Sequence, residues 1–94
     1  MIAITAKIPV KAGSEADFEQ AMLAMAEQVR ANEPGNKMYT LCKGDDGAYV
    51  MMELYDDMAA VDAHRTSDHY KAGGASLGPF IGGAPEISIM EVIG

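Results

Sequence analysis

His64 and His69 are the side chains of this 94-residue chain best suited to moving a proton near neutral pH. They sit in one segment, Ala63-His64-Arg65-Thr66-Ser67-Asp68-His69-Tyr70. Five positions on a continuous helix amount to about 500°, leaving the rings roughly 140° apart in projection. A helix break at Thr66-Ser67, both capping residue types, would instead let them converge on one cavity. Each could equally be an ordinary helix residue, His64 partly buried and His69 in a first turn. As metal ligands they are a weak pair, because the spacing offers no third ligand beyond scattered carboxylates; no metal is expected. Glu53 lies among Met and Tyr residues in a strand-like run. A buried carboxylate needs partners or its pKa rises. The preferred reading makes Glu53 a structural acceptor near a subunit interface, for Arg65 or a backbone amide, ahead of a general base.

The walls of a site can also be read. Eight methionines provide soft, adaptable packing. Most fill a core, but a pocket built partly from them would suit a flat apolar ligand. Tyr39, Tyr70 and Phe80 are the expected aromatic lining, with Met52 in the same wall, and ordinary packing is the alternative for each. The glycine-rich run from Gly73 to Gly83 could form a mobile lid, although poor helix propensity explains its composition equally well. No P-loop, no dinucleotide-binding glycine pattern and no Cys/His metal spacing occurs.

These groups need elements to position them. Ile2, Ile4, Ala6, Ile8 and Val10 alternate with Ala3, Thr5, Lys7 and Pro9, the period of a strand, with Pro9 pointing to an edge. Ser14-Glu15-Ala16-Asp17 resembles a capping box, and Phe18, Met22, Met25 and Val29 then mark one face of a helix of about five turns. Asn32-Glu33-Pro34-Gly35-Asn36 ends it. Runs 37–43 and 48–55 read as two strands of a hairpin. Asp56 or Asp57 caps a short helix, Thr66-Ser67-Asp68 starts another, and 86–93 is the last strand. The order β-α-β-β-α-β is the ferredoxin-like α+β pattern, an antiparallel sheet with helices on one face.

Pairing Lys43 with Ala48 across the hairpin puts Tyr39, Leu41, Val50, Met52 and Leu54 on one face. Met38, Thr40, Cys42, Tyr49, Met51, Glu53 and Tyr55 then share the other. Helices cover one face only, and an uncovered face of this kind is rarely left to solvent. A homodimer packed through the open sheet face is expected.

Composition bounds the rest. The chain is one domain, too short for two cores. It is 49% hydrophobic and 22% charged, a globular composition. A net charge of −7 argues against nucleic acid and anionic membrane surfaces as partners. The lone Cys42 cannot form an internal disulfide, and no signal peptide or spanning stretch is read, so a cytoplasmic setting is expected.

Several of these residues fall into a familiar pattern. Glu53-Leu54-Tyr55-Asp56, Ala60, Ala63-His64, Ser67 and His69-Tyr70, with Glu33-Pro34-Gly35 before Tyr39 and Phe18 in the first helix, resemble the antibiotic biosynthesis monooxygenase family. The resemblance spans nearly the whole chain and implies a dimeric ferredoxin-like α+β barrel. It implies oxygenation of a small hydroquinone- or anthrone-like substrate by O2 without cofactor. It casts His64 as proton acceptor or anchor and His69 as its partner, with Tyr39, Tyr70 and Asn36 positioning the substrate. Haem-degrading relatives use a first-strand Asn, a Trp and an axial His. This chain has no Trp and no Asn in that strand, and the axial position falls near Gly74. Two alternatives remain: an isomerase of a phosphorylated quorum-sensing sugar derivative, for which Arg65, Lys71 and Lys43 are the few cations, and a non-catalytic dimeric binding module.

Overall fold

The alternating apolar residues at the start of the chain form β1 (Ile2–Ile8), and Lys11-Ala12-Gly13 turns it into α1 (Glu15–Asn32). A computed structural model describes residues 1–94. Gly13 has a φ of +89°, where a side chain would be strained. The expected capping box does not form. Ser14 makes no side-chain cap bond, and Glu15 instead folds back to accept from the Gly13 N–H. The α1 stripe is as the spacing predicts: Phe18, Met22, Met25, Ala26 and Val29 are buried.

The hairpin strands are β2 (Asn36–Lys43) and β3 (Tyr49–Tyr55), followed by α2 (Met58–Thr66), α3 (Asp68–Leu77), a 3-10 turn over Gly78–Phe80, and β4 (Glu86–Glu91). All pairings are antiparallel, in the order β2-β3-β1-β4. This is the ferredoxin-like sheet. β1 is therefore a central strand, and Pro9 stands just beyond its end rather than on an edge. The glycine-rich segment is more regular than expected: Gly73 and Gly74 lie inside α3.

The hairpin register corrects the facial assignment. Lys43 pairs with Tyr49, not Ala48. The Gly44 N–H donates to the Ala48 carbonyl, and Asp45-Asp46-Gly47 closes a three-residue loop with Gly47 at φ +82°. A slip of one residue exchanges the faces of a strand. Tyr49, Met51, Glu53 and Tyr55 thus join Tyr39 and Leu41 under the helices. Val50, Met52 and Leu54 join Met38, Thr40 and Cys42 on the open face.

The main core packs α1 against Ile8, Tyr39, Tyr49, Met51 and Leu77. A smaller cluster joins Ile4, Tyr55 and Val61. β4 is only thinly covered: Ile87 and Ile89 face the helix side yet stay 54% and 46% exposed. No helix is long and apolar enough to cross a membrane.

Candidate active site

The site begins where α1 stops. Glu33 follows the helix in extended backbone, the conformation favoured before proline. The Glu33-Pro34-Gly35 turn then lies directly on α2. A Cβ on Gly35 would stand 2.7 Å from the Ala60 Cβ, so this approach needs glycine. The Asp56 N–H donates to the Gly35 carbonyl and the Asn36 N–H to that of Glu33, at 2.9 and 3.1 Å. The turn is thereby fixed with the Glu33 carboxylate against both histidines.

The break between α2 and α3 falls at Ser67, as its residue type predicts. The Ser67 hydroxyl donates to the His64 carbonyl at 2.6 Å and accepts from the Tyr70 N–H at 3.2 Å. Its single proton is committed, so toward His69 Nε2, also 3.2 Å away, it can only accept. His69 Nε2 therefore carries hydrogen, and it also bonds Glu33 Oε2. His64 Nδ1 lies 2.8 Å from the same oxygen. One carboxylate oxygen thus holds both rings. With Nδ1 bonded in this way, His64 presents a free lone pair at Nε2, which has no protein partner. The His64 and Glu33 side chains are buried, His69 is partly exposed, and Glu33 Oε1 is buried without any partner.

His64 stands in an aromatic cage. Its ring centroid is 5.4 Å from Tyr39, 5.5 Å from Tyr55 and 4.8 Å from Tyr70. Beside it lies a largely apolar cavity of about 200 Å³ between sheet and helices. Met22, Met25, Met51, Ile4 and Leu77 form walls, Pro85 and Ile87 stand at the rim, and Tyr39, Glu53, His64, Arg65 and Tyr70 supply polarity. Glu53 accepts from the Tyr55 hydroxyl at 2.6 Å. Burial pushes the Glu53 carboxyl above its ordinary value, against the opposing pull of that bond and of the His64 and Arg65 charges. Burial and then Glu53 likewise lift Tyr39, whose hydroxyl finds only the Met25 sulfur at 3.9 Å. Burial and the bond to Glu53 do the same to Tyr55.

The structure gathers His64, Tyr39 and Tyr70 around this cavity. His69 shares their cluster through Glu33 but opens on the other side, into an outer groove lined also by Phe80, Asp17, Gln20 and Asn32. The two histidines converge on one carboxylate, not on one cavity. Phe80 packs on the main core from that groove. Asn36 turns its amide to the Met38 carbonyl, beside the bulge that opens β2, and does not line the cavity. Met52 lies on the open face, 41% exposed, for the register reason given above. Glu53 is the converse: expected near an interface, it faces the cavity, and it makes no ion pair with Arg65.

Glu33 is the residue that sequence reasoning missed. Its signal was a carboxylate locked between a helix end and Pro34-Gly35. It also supplies the third ligand type that the histidine spacing lacked, since the donor atoms of Glu33, His64 and His69 lie within 4.8 Å of one another. Their mutual spacing is that of hydrogen bonds. Coordination at about 2.0–2.2 Å from each donor would require the shared oxygen to part from both rings.

Sheet order and helix placement define a ferredoxin-like α+β fold, and a carboxylate-held imidazole stands beside its apolar cavity. The antibiotic biosynthesis monooxygenase family matches residues 1–75, and the chain belongs to that family. It is 32% identical over 73 residues, 76% of each chain, to a Bacillus subtilis (strain 168) protein named "Putative monooxygenase YcnE". A solved structure from Caulobacter crescentus CB15, described as a "putative antibiotic biosynthesis monooxygenase", superposes with a TM-score of 0.94 at 37% identity, covering 99% of this chain and 90% of that one. Rv0793 of Mycobacterium tuberculosis shares the fold, with a TM-score of 0.89 at 24% identity over 99% and 95% of the two chains.

Proposed function

We propose that the protein is a cofactor-independent monooxygenase of a small electron-rich hydroxyaromatic, with His64 as the base. The observation that carries this is the His64 ring, tied at Nδ1 to Glu33 and open at Nε2 beside an apolar cavity. His64 Nε2 takes the proton of a ring hydroxyl. The resulting anion is the reductant and passes one electron to O2. The two radicals combine, and the peroxide takes the proton back from His64. The O–O bond then breaks. One oxygen stays on the ring carbon as a carbonyl, and the other leaves as water with that carbon's hydrogen. The sum is SH2 + O2 → SO + H2O, and the electrons come from the substrate. Glu33 is a positioning residue here, since it acts only through the imidazole. Apolar walls exclude water, and the Tyr39 hydroxyl, which has only a sulfur partner, is a donor for the developing oxyanion.

Cavity size favours one branch of the substrate class. An apolar cavity of about 150 Å³ takes up one benzene ring. The 200 Å³ found here suits a hydroquinone better than a three-ring anthrone. A single cation in the lining, Arg65, gives little support to a phosphorylated substrate. A second copy on the open sheet face completes the proposal. Met38, Cys42, Val50 and Leu54 are only half-buried there, and Met52 and Met90 are exposed.

Oxygen uptake with a panel of hydroquinones and anthrones is the test. Turnover is expected with hydroquinones, and His64→Ala should reduce it by about 10²–10⁴-fold with the fold retained. Undiminished oxygen uptake in a folded His64→Ala protein would overturn the assignment, as would binding of these rings without any oxygen uptake.

A further inference from the structure

We infer that Glu53 selects the substrate, with Oε2 hydrogen-bonding a second oxygen on the ring whose first hydroxyl meets His64. This rests on the cavity being the substrate site, as proposed above. Glu53 sits in the middle of β3, paired across the sheet with Ile4 of β1 and Tyr39 of β2, its side chain on the helix side. It is 8% exposed. Oε1 accepts from the Tyr55 hydroxyl. Oε2 has no hydrogen-bond partner in the protein, and no Lys, Arg or His stands within ion-pair distance of the group. Glu33 Oε1 is sealed away from solvent without a partner, whereas Glu53 Oε2 is not among such atoms, and Glu53 lines the cavity.

Most buried side-chain polar atoms find a partner within the fold, and Glu53 Oε2 differs from the sealed Glu33 Oε1 in belonging to a residue that lines the cavity. Glu53 has one satisfied and one left for whatever enters. Burial favours its neutral acid form, and the same geometry then places the proton. Oε1 is the acceptor for Tyr55, so in the acid form the hydrogen belongs on Oε2 and is donated to a ligand oxygen, and in the ionised form Oε2 accepts from a ligand hydroxyl. A buried acid of this kind can bind a ring hydroxyl in the substrate and the corresponding carbonyl in the product. A ring lacking the second oxygen would leave Oε2 buried and unpaired, a penalty that falls on the wrong ligand. The inference thus narrows the substrate to a ring bearing two oxygen substituents.

The test is anaerobic binding to the full chain, followed by NMR titration with hydroquinone and with phenol. Hydroquinone should bind about tenfold more tightly, the worth of one hydrogen bond. Glu53→Leu should abolish that preference by raising phenol affinity toward that of hydroquinone, since no unpaired Oε2 is then buried, and Glu53→Gln, which keeps a donor and an acceptor, should retain most of it. A second measurement does not depend on the Leu variant folding. Hydroquinone, but not phenol, should shift an infrared carboxyl band, the acid carbonyl or the carboxylate stretch, and the signal should vanish in Glu53→Gln. Equal affinity for the two rings, a preference that survives in Glu53→Leu, or no shift of that band would overturn this inference and leave the cavity assignment standing. Failure of either ring to bind would overturn both.

Discussion

The contact between Gly35 and Ala60 places Glu33, and it can be tested as a pair. Gly35→Ala would set a new Cβ 2.7 Å from the Ala60 Cβ and 3.7 Å from its Cα. The first contact is a clash between short, rigid groups, and the second is ordinary. Overpacking of this kind costs about 1–3 kcal/mol. The lost unfolded-state freedom of glycine returns about 0.4–1 kcal/mol, since Gly35 has no positive φ that alanine would strain. The net loss is about 1–2 kcal/mol, or roughly 4–16 °C in Tm for a domain of this size. Ala60→Gly alone removes a helix-favouring residue from the first turn of α2, at about 1 kcal/mol. Combined with Gly35→Ala it also removes the clash, so the double variant should fall within about 1 kcal/mol of the native protein. The coupling is then about −2 kcal/mol, large for two methyl groups. Thermal and urea denaturation of the four proteins measures it, and oxygen uptake should follow the same order because the turn carries Glu33. A neutral or stabilising Gly35→Ala, or additivity in the double variant, would refute the close approach of turn and helix.

Further predictions follow from the cavity and the open face. Burial raises the Glu53 carboxyl above its unfolded value near 4.5. Its contribution to stability is therefore fully present below that pH and is lost as pH rises through the raised folded value. Glu53→Gln should accordingly gain Tm relative to the native protein as pH climbs above 4.5, with no relative gain below about pH 4. A pH-independent difference in a melting series would contradict this. Met52→Lys would put a charge opposite Thr5 and Thr40 at the centre of the open face. It should weaken self-association by at least about 100-fold in sedimentation equilibrium, because burying an unpaired ammonium is costly. An unchanged mass would remove that face from the interface.

Local chemistry made much of this protein legible. Alternation in β1, the Phe18-Met22-Met25-Val29 stripe and the capping types Asp57 and Ser67 are short-range signals, and each element formed where its signal stood. The α+β order and the helix break between the histidines follow from them, whereas His64, Tyr39 and Tyr70, which line the cavity, are expected from residue type and family pattern. Where the reading failed, the cause was a choice local pattern does not make. Both faces of the hairpin are apolar, so hydropathy cannot choose its register. Gly47, adopting positive φ in a three-residue loop, chose it, sending Met52 out and Glu53 in.

The sequence by itself determined the elements, their order and the residue types able to move a proton. Tertiary structure alone decided which of them meet. Glu33 lies 31 residues from His64 and 36 from His69, and nothing in either neighbourhood names the other. They share an oxygen because Gly35 lets a turn rest on α2 and Ser67 ends that helix between two imidazoles. Hydrogen bonds reach about 3 Å, so a site built from them exists only after packing has brought its members within that distance.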